Sequence, residues 1–389
     1  MSLEPRSPDA TDLRTRLEAE ITAAISAAGG WIPFSRFMEM ALYAPGLGYY
    51  SAGARKIGRD PRDGSDFVTA PELTPLFGRS LARPVAEVLA AGGDTILELG
   101  GGTGRLAVEL LRELEALGRL PARYLILDVS ADLRERQRTL VAREVRHLAD
   151  RVVWIDALPS TIHGIVLGNE VLDALPVELV VFDGDRWWSR GVSRAEGRFV
   201  YADRPLPPDL AALIIDTEAG SRARPAGYTT ELHPAASALV ETLVERLSDD
   251  SALLLIDYGF PESEYYHSQR VSGTLMAHRA HRATTALLAD VGLQDITAHV
   301  DFSAVARAAR RAGGTVVGYT NQATFLIGCG IATLLRGSAD APSGWAPQAA
   351  ALQTLLSEAE MGELFKVIAI AKRPWSLDAF RANDRRVAL

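Results

Sequence analysis

The run Ile96-Leu-Glu98-Leu-Gly100-Gly-Gly102-Thr-Gly104 constrains this chain more than any other segment. A short apolar strand passes into alternate glycines and then into a helical pattern from about Arg105 to Leu117. Glycines let the backbone turn sharply and let a ligand approach the main chain. The helix that follows offers free N–H donors at its start. Apolar runs at 124–128, 152–155, 164–168 and 251–257 alternate with helical stretches. That alternation predicts an α/β fold, a doubly wound parallel sheet covered on both faces.

The remaining segments attach to this core. Leu13, Leu17, Ile21 and Ile25 recur at helical spacing, and Gly29-Gly30 ends the pattern. Helical pieces broken by prolines follow, so residues 11–93 read as an N-terminal helical cap. Residues 94–176 are the first half of the core and 251–372 the second, with strands expected at 296–302, 315–319 and 364–371. The stretch 177–250 exceeds a usual crossover and reads as an inserted α+β lid between strands four and five. Its strands at 177–182 and 197–201 flank Asp183-Gly184-Asp185. Residues 373–389 form a tail.

The glycine spacing narrows the ligand. A nicotinamide fingerprint, G-x-G-x-x-G from Gly100, needs glycine where this chain has Arg105. G-x-G-x-G with Glu98 before it resembles the class I methyltransferase motif, with Gly100, Gly102 and Gly104 as its glycines. Asp128 ends the second strand, where an acid accepts both ribose hydroxyls of either cofactor. Asp156 follows the third strand; it is placed to receive an adenine amine, or to serve as a turn aspartate. Asn169, Glu170 and Asp173 lie at the carboxyl edge of the fourth strand, the edge that faces the ligand crevice. They read as site residues, or as a helix cap and first-turn acids.

Bulk properties exclude other classes. A formal net charge of −8 argues against a chain that coats nucleic acid. Cys329 is the sole cysteine, which removes internal disulfides and cysteine-rich zinc sites and suits a reducing, cytoplasmic location. No run approaches 18 apolar residues, so no membrane span is expected, and the N-terminus does not read as a secretory signal. Arg55, Lys56, Arg59 and Arg62 read as a solvated loop. His278 and His281 lack further metal ligands, so no metal is expected. Tyr43, Tyr49 and Tyr50 read as packing residues, with pocket lining as the alternative.

An ordered set of segments is similar to the MidA family of class I methyltransferases. It comprises Phe37-Met-Glu-Met-Ala-Leu-Tyr43 to Gly48-Tyr49-Tyr50, Asp66-Phe-Val-Thr-Ala-Pro-Glu72, Phe77-Gly78 and Glu98-Leu-Gly-Gly-Gly-Thr-Gly104. It continues with Asn169-Glu-Val-Leu-Asp-Ala-Leu-Pro176, Ile256-Asp-Tyr-Gly259, Gly273-Thr-Leu275, Thr297-Ala-His-Val-Asp-Phe302 and Met361-Gly-Glu-Leu-Phe-Lys-Val367. The resemblance implies S-adenosyl-L-methionine as cofactor. It also implies a protein acceptor, with arginine favoured, because the mitochondrial member methylates a complex I subunit on arginine. Glu98, Gly100, Gly102, Gly104, Asp128, Asp156 and Asn169 are then expected to hold the cofactor. Glu170 is expected to orient the acceptor guanidinium, with Asp173 supporting it from a shared helical face. The chain departs from the family at Gly101, Ser65, Asp128 and Val171-Leu172, which stand for proline, glycine, glutamate and Phe-Phe. A small-molecule methyltransferase and a non-enzymatic assembly factor stay open as alternatives.

Overall fold

The computed structural model describes residues 8–52, 66, 68–338 and 345–389. The basic run from Arg55 to Arg62 lies outside the described residues. A helix over Pro8–Ala27 precedes β1 (Ile32–Pro33) and helices over Phe34–Tyr43 and Pro75–Ala90. Then come β2 (Thr95–Leu99), β3 (Arg123–Leu127), β4 (Val152–Ile155) and β5 (Gly164–Asn169), with helices Arg105–Ala116 and Ala131–Glu144 between the first three. The insertion adds β6 (Glu178–Phe182), β7 (Trp187–Ala195), β8 (Arg198–Pro205), β9 (Thr229–Leu232) and a helix over Pro234–Arg246. After it follow β10 (Ala252–Phe260), β11 (Met276–Arg279), β12 (Arg282–Thr284), β13 (Asp295–Thr297), β14 (Val300–Asp301), β15 (Thr315–Asn321) and β16 (Phe365–Ala371).

The core sheet has the order β15-β16-β10-β5-β2-β3-β4, with β14 pairing β10. Strands β10, β5, β2, β3 and β4 run parallel, and β16 is antiparallel to both its neighbours. The doubly wound class I architecture expected from the sequence is therefore present. Side chains alternate across it with the period of a strand. Ile96, Leu254 and Ile256 share a cluster with Val85, Leu106 and Leu110. Leu97, Leu253 and Leu255 share another with Val240, Leu243, Val305 and Ala309. Both faces are thus dry, which explains why these strands read as unbroken apolar runs.

The flanking segments differ from expectation. Residues 11–93 are not one cap. Leu17, Ile21, Phe34, Phe37 and Met38 pack on Val177, Leu179 and Val192 of the insertion and on Leu275 and Ile296. Leu76, Phe77 and Val85 pack on the core sheet instead. β1 adds to the insertion's sheet by pairing β7. The Asp183-Gly-Asp turn forms as read, with Asp183 Oδ1 accepting from the amides of Asp185 (2.8 Å) and Arg186 (2.9 Å). The single strand expected at 296–302 is broken. β13 pairs β11 in a small separate sheet, and only β14 reaches β10. Asp301 cuts the strand short because its side chain caps the helix Phe302–Arg311, accepting from Ala304 N at 2.9 Å.

The β2–β5 junction rests on Gly164. Its φ is +143°, and a Cβ there would meet Thr95 O at 2.0 Å. Gly164→Ala is expected to lower stability in denaturant titration by about 2 kcal/mol or more. Gly197→Ala, with φ +77° and open space around it, should cost only the conformational penalty of about 1–2 kcal/mol.

Candidate active site

The glycine turn is built from backbone that only glycine adopts cheaply. Gly100, Gly102 and Gly104 have φ of 63°, 51° and 87°, and Gly104 caps the helix Arg105–Ala116 without a side chain. That leaves the helix's first amides open to a ligand. Gly101 is tight on its other side: a Cβ would fall 2.8 Å from Ile126 Cγ2 and 3.1 Å from Gln137 Nε2. Gln137 uses this room. It is fully buried, its amide donates to Gly102 O (2.9 Å) and Asp128 Oδ2 (2.8 Å), and its oxygen accepts from Trp154 Nε1 (2.7 Å). One side chain thereby ties the glycine turn to the acid ending β3.

A cavity of ≈ 560 Å³ opens along this edge, a size that suits a small ligand. Its walls include the turn at 99–103, Asp128 to Ser130, and Asn169 to Leu175 except Leu172. It then continues past Tyr43, Tyr50, Tyr258, Asp295, Thr297 and His299.

The expected site residues divide on inspection. Asp128 lines the cavity, and its oxygens accept from Ser130 N (2.9 Å) and Gln137. A carboxylate oxygen holding one donor keeps a lone pair for another. Glu98 also lines the cavity, but its Oε2 accepts from Tyr124 OH at 2.8 Å. Burial pushes its carboxyl up to about 8, the Tyr124 donor opposes this, and the Asp128 charge adds to it. Asn169 donates to Glu170 Oε1 at 2.9 Å, while its own Oδ1 is buried with no partner among the described residues. Asp156 is a correction. Its side chain is 89% exposed and ion-paired to Arg134, and it is absent from the cavity wall. Arg134 also donates to Asp128 O and Ile155 O, which holds the Asp156 pair on the outer surface.

A second correction concerns the residues after β5. No helix follows, so Glu170 and Asp173 share no helical face and act as no helix cap. The chain turns sharply instead, with Glu170 at φ 54°. The amides of Val171, Leu172 and Asp173 all donate to Asp257 Oδ2, at 3.1, 2.9 and 3.2 Å. Glu170 faces the N-terminal segment, and the Ala70 amide donates to it. Burial, the Asp173 charge and Asp295 push its carboxyl up to about 8, against the Asn169 and Ala70 donors. Asp173 is buried; its Oδ2 accepts from Tyr258 OH at 2.7 Å and its Oδ1 has no partner among the described residues. Burial pushes this carboxyl up to about 6, with Tyr258 opposing.

Of the described residues of the insertion read as a lid, only Leu239, on the helix Pro234–Arg246, lines the cavity. Among the described residues, none from β6 to β9 lines the cavity. Their apolar side chains are spent on the N-terminal helices and on Tyr265 and Tyr266. Tyr43 and Tyr50 line the cavity, so the pocket alternative applies to them, whereas Tyr49 donates to Asp66 at 2.8 Å. Gln137, Asp257, Tyr258, Asp295 and His299 were not singled out from sequence. Asp257 and Tyr258 stand in the Ile256-Asp-Tyr-Gly259 segment and His299 in Thr297-Ala-His-Val-Asp-Phe302, but neither motif states a role.

Comparisons with known proteins agree with this geometry. Residues 80–320 match a family described as S-adenosyl-L-methionine-dependent methyltransferases. The chain is 27% identical over 400 residues to the mitochondrial protein arginine methyltransferase NDUFAF7 of Danio rerio, covering 94% of this chain and 89% of that one. Against the Homo sapiens protein of that name it is 26% identical, covering 88% and 80%. A crystal structure from Burkholderia thailandensis, bound to S-adenosyl-homocysteine, superposes with a TM-score of 0.95 at 50% identity, each chain covered completely. These relatives are named as mitochondrial, which lends the cytoplasmic expectation no support. Among the described residues, no helix is long and apolar enough to cross a membrane.

Asp128→Ala removes a carboxylate acceptor from the end of the cavity beside the glycine turn, where a nucleoside is expected. Calorimetric titration with S-adenosyl-homocysteine is expected to show affinity reduced by roughly tenfold or more. Unchanged affinity in a folded variant would take Asp128 out of the site.

Proposed function

Since the chain belongs to this family of S-adenosyl-L-methionine-dependent methyltransferases, we propose that its acceptor is an arginine side chain of a protein, as the names of its curated relatives suggest. The single observation that carries this reading is the pair of acids at the end of β5. Glu170 and Asp173 both line the cavity; Arg105, which lines it too, pairs with Glu109 at 3.5 Å, and the charges that act on Glu170 are the acids Asp173 and Asp295. Carboxylates held in a buried site without cations are costly. A bound cation offsets that cost.

The residues present fit the cofactor. The open amides of the helix that starts after Gly104, the glycine backbone at 100–102 on the cavity wall, and the remaining lone pairs of Asp128 match the amino acid and ribose ends of an S-adenosyl group. Val129, 73% exposed on the cavity wall, gives a purine an apolar face. When bound, the cofactor supplies an electrophilic methyl group on a sulfonium.

The chain's own residues have three tasks. The turn held by Asp257 sets Glu170 and Asp173 beside the glycine turn, where a Cβ on Gly100 would come 3.5 Å from Val171 Cγ2. Positioning of this kind supplies much of the rate in a displacement. Glu170 and Asp173 accept hydrogen bonds from the guanidinium and hold it in one orientation. A guanidinium nitrogen that exchanges an N–H proton for a methyl keeps its single positive charge only if that proton leaves. Glu170 takes it, since a carboxyl raised towards neutrality by burial is a better base than an exposed one.

Two outcomes test this reading. Incubation of cell lysate with radiolabelled cofactor should place label on protein, recovered after hydrolysis as methylarginine; label confined to small molecules would reject it. With that assay, Glu170→Gln should keep S-adenosyl-homocysteine affinity within about twofold and lose transfer by roughly tenfold or more. Gln retains an oxygen for the Asn169 and Ala70 donors, so a purely structural Glu170 would leave turnover intact.

The pH profile follows from the same groups. The carboxyl of Asp173 is pushed up to about 6 and that of Glu170 to about 8. Below these values each is neutral and can neither hold a cation nor take a proton. Transfer at saturating cofactor is therefore expected to climb between about pH 6 and 8. A rate flat across that interval would remove both acids from the chemistry.

A further inference from the structure

Asp295 opens β13, far in sequence from the acids after β5, and is only 3% exposed. It lines the same cavity. Its Oδ2 accepts from Tyr50 OH at 3.0 Å, and its Oδ1 is buried without a donor among the described residues. Asp173, which lines the same cavity, repeats this arrangement: one oxygen is held by Tyr258 OH and the other has no partner among the described residues. Each acid is held by one tyrosine, with a backbone amide (Ile296 for Asp295, Ala174 for Asp173) also acting on its carboxyl, and each keeps a buried Oδ1 without a partner among the described residues. Such oxygens are rare in a folded interior and call for an explanation.

The same cavity is lined by aromatic rings, those of Tyr43, Tyr50, Tyr258 and His299. Tyr43 stacks on Tyr50 with ring centroids 5.6 Å apart and planes 18° from parallel, and its hydroxyl donates to Ala174 O at 2.9 Å. Tyr258 stands edge-on to His299 at 5.1 Å. Aromatic walls attract a flat, weakly hydrated cation.

We propose that Asp173 and Asp295 are the two jaws of a guanidinium subsite, each presenting one unpartnered oxygen to a different edge of the cation, with the Tyr43–Tyr50 stack along its face. This rests on the arginine reading and extends it, because Asp295 becomes a substrate-binding residue and the subsite becomes selective. A guanidinium has five N–H donors in one plane and reaches both jaws at once. An alkylammonium has three donors and no plane, so it gains less from the aromatic wall.

The test uses the full chain saturated with S-adenosyl-homocysteine and ethylguanidinium as the probe, titrated calorimetrically beside n-propylammonium. The native complex should bind ethylguanidinium more tightly, by roughly tenfold. Asp295→Asn should lose about tenfold or more in ethylguanidinium affinity while S-adenosyl-homocysteine affinity stays the same. Tyr50→Phe, which keeps the ring and the acid but releases the jaw, should lose less, and provides the measurement if Asp295→Asn fails to fold. Asp156→Asn, an exposed acid outside the cavity, serves as the charge control and should match the native protein. Equal binding of the two probes to the native complex overturns the subsite. So does native-like ethylguanidinium affinity in Asp295→Asn, or in Tyr50→Phe where that is the variant measured. The arginine reading is judged apart from this, by methylarginine in the labelled lysate. Arginine labelling by Asp295→Asn at the native rate would retain that reading and discard the jaw.

Discussion

One carboxylate oxygen organises the site. Asp257 Oδ2 takes three consecutive amides, from Val171, Leu172 and Asp173, and its Oδ1 takes the Tyr258 amide at 2.9 Å. Because no helix follows β5, these amides have no intrahelical acceptors, and buried amides without partners are costly. Asp257 reaches them because β10 lies parallel to β5 with Ile256 opposite Asn169. The next residue of β10 therefore stands under the turn. Burial and the charges of Asp173 and Glu170 push the Asp257 carboxyl well up, and the amide donors pull the other way. Hydrogen bonds to the charged form are the counterweight that lets an acid sit there.

From that turn the cavity divides into two parts of different origin. The part proposed for the cofactor is local: the glycine turn, Asp128 and Gln137 come from a single stretch wound around β2 and β3. The part proposed for the acceptor is assembled at long range. Tyr43 and Tyr50 come from the N-terminal segment, Asp173 from the turn, Tyr258 from β10 and Asp295 from β13. The N-terminal segment also reaches the glycine turn, since Thr103 Oγ1 donates to Glu72, and it reaches the acids after β5, since the Ala70 amide donates to Glu170. Residues far apart in sequence are therefore fixed by the packing of Phe34, Phe37 and Met38 against the insertion and β13. The strands of the insertion buttress this wall from outside, and only Leu239 of its helix lines the cavity among the described residues.

The difference in origin explains what could be read from sequence. Strand, glycine turn and acid at fixed offsets are a local pattern, so the turn at Gly100, Gly102 and Gly104 and the place of Asp128 beside it were legible, as was the parallel core. The acids after β5 were found from their place at the strand's carboxyl edge, but their local conformation was not. Asn169, Glu170 and Asp173 look like a cap and a first turn because nothing nearby reveals that Asp257 supplies the acceptor. Asp156 failed for a related reason: its offset after β4 fits a ligand-facing acid, but Arg134, on the helix before, draws it outward. Asp295 carries no local mark at all. It sits in Leu293-Gln-Asp295-Ile296, where an acid beside an apolar strand reads as a turn residue. Only the pairing of β13 with β11, and of Tyr50 with the carboxylate, shows that it is buried.

A site built this way is incomplete by design of its charges. Glu170, Asp173, Asp257 and Asp295 crowd one end of the cavity, and the charges of Asp173 and Glu170 are among the causes that raise their neighbours. Hydrophobic burial on both faces of the core sheet and in the N-terminal layer is what keeps such a cluster folded. Without a positive partner the acids retain protons to limit mutual repulsion. A cation that enters the cavity displaces those protons and gains the interaction that the acids lack among themselves. On the proposed reading the protein supplies acceptors, rings and a fixed turn, and the substrate brings the charge. Selection by an uncompensated site is stricter than selection by shape alone, because a neutral competitor leaves the buried oxygens unpaired.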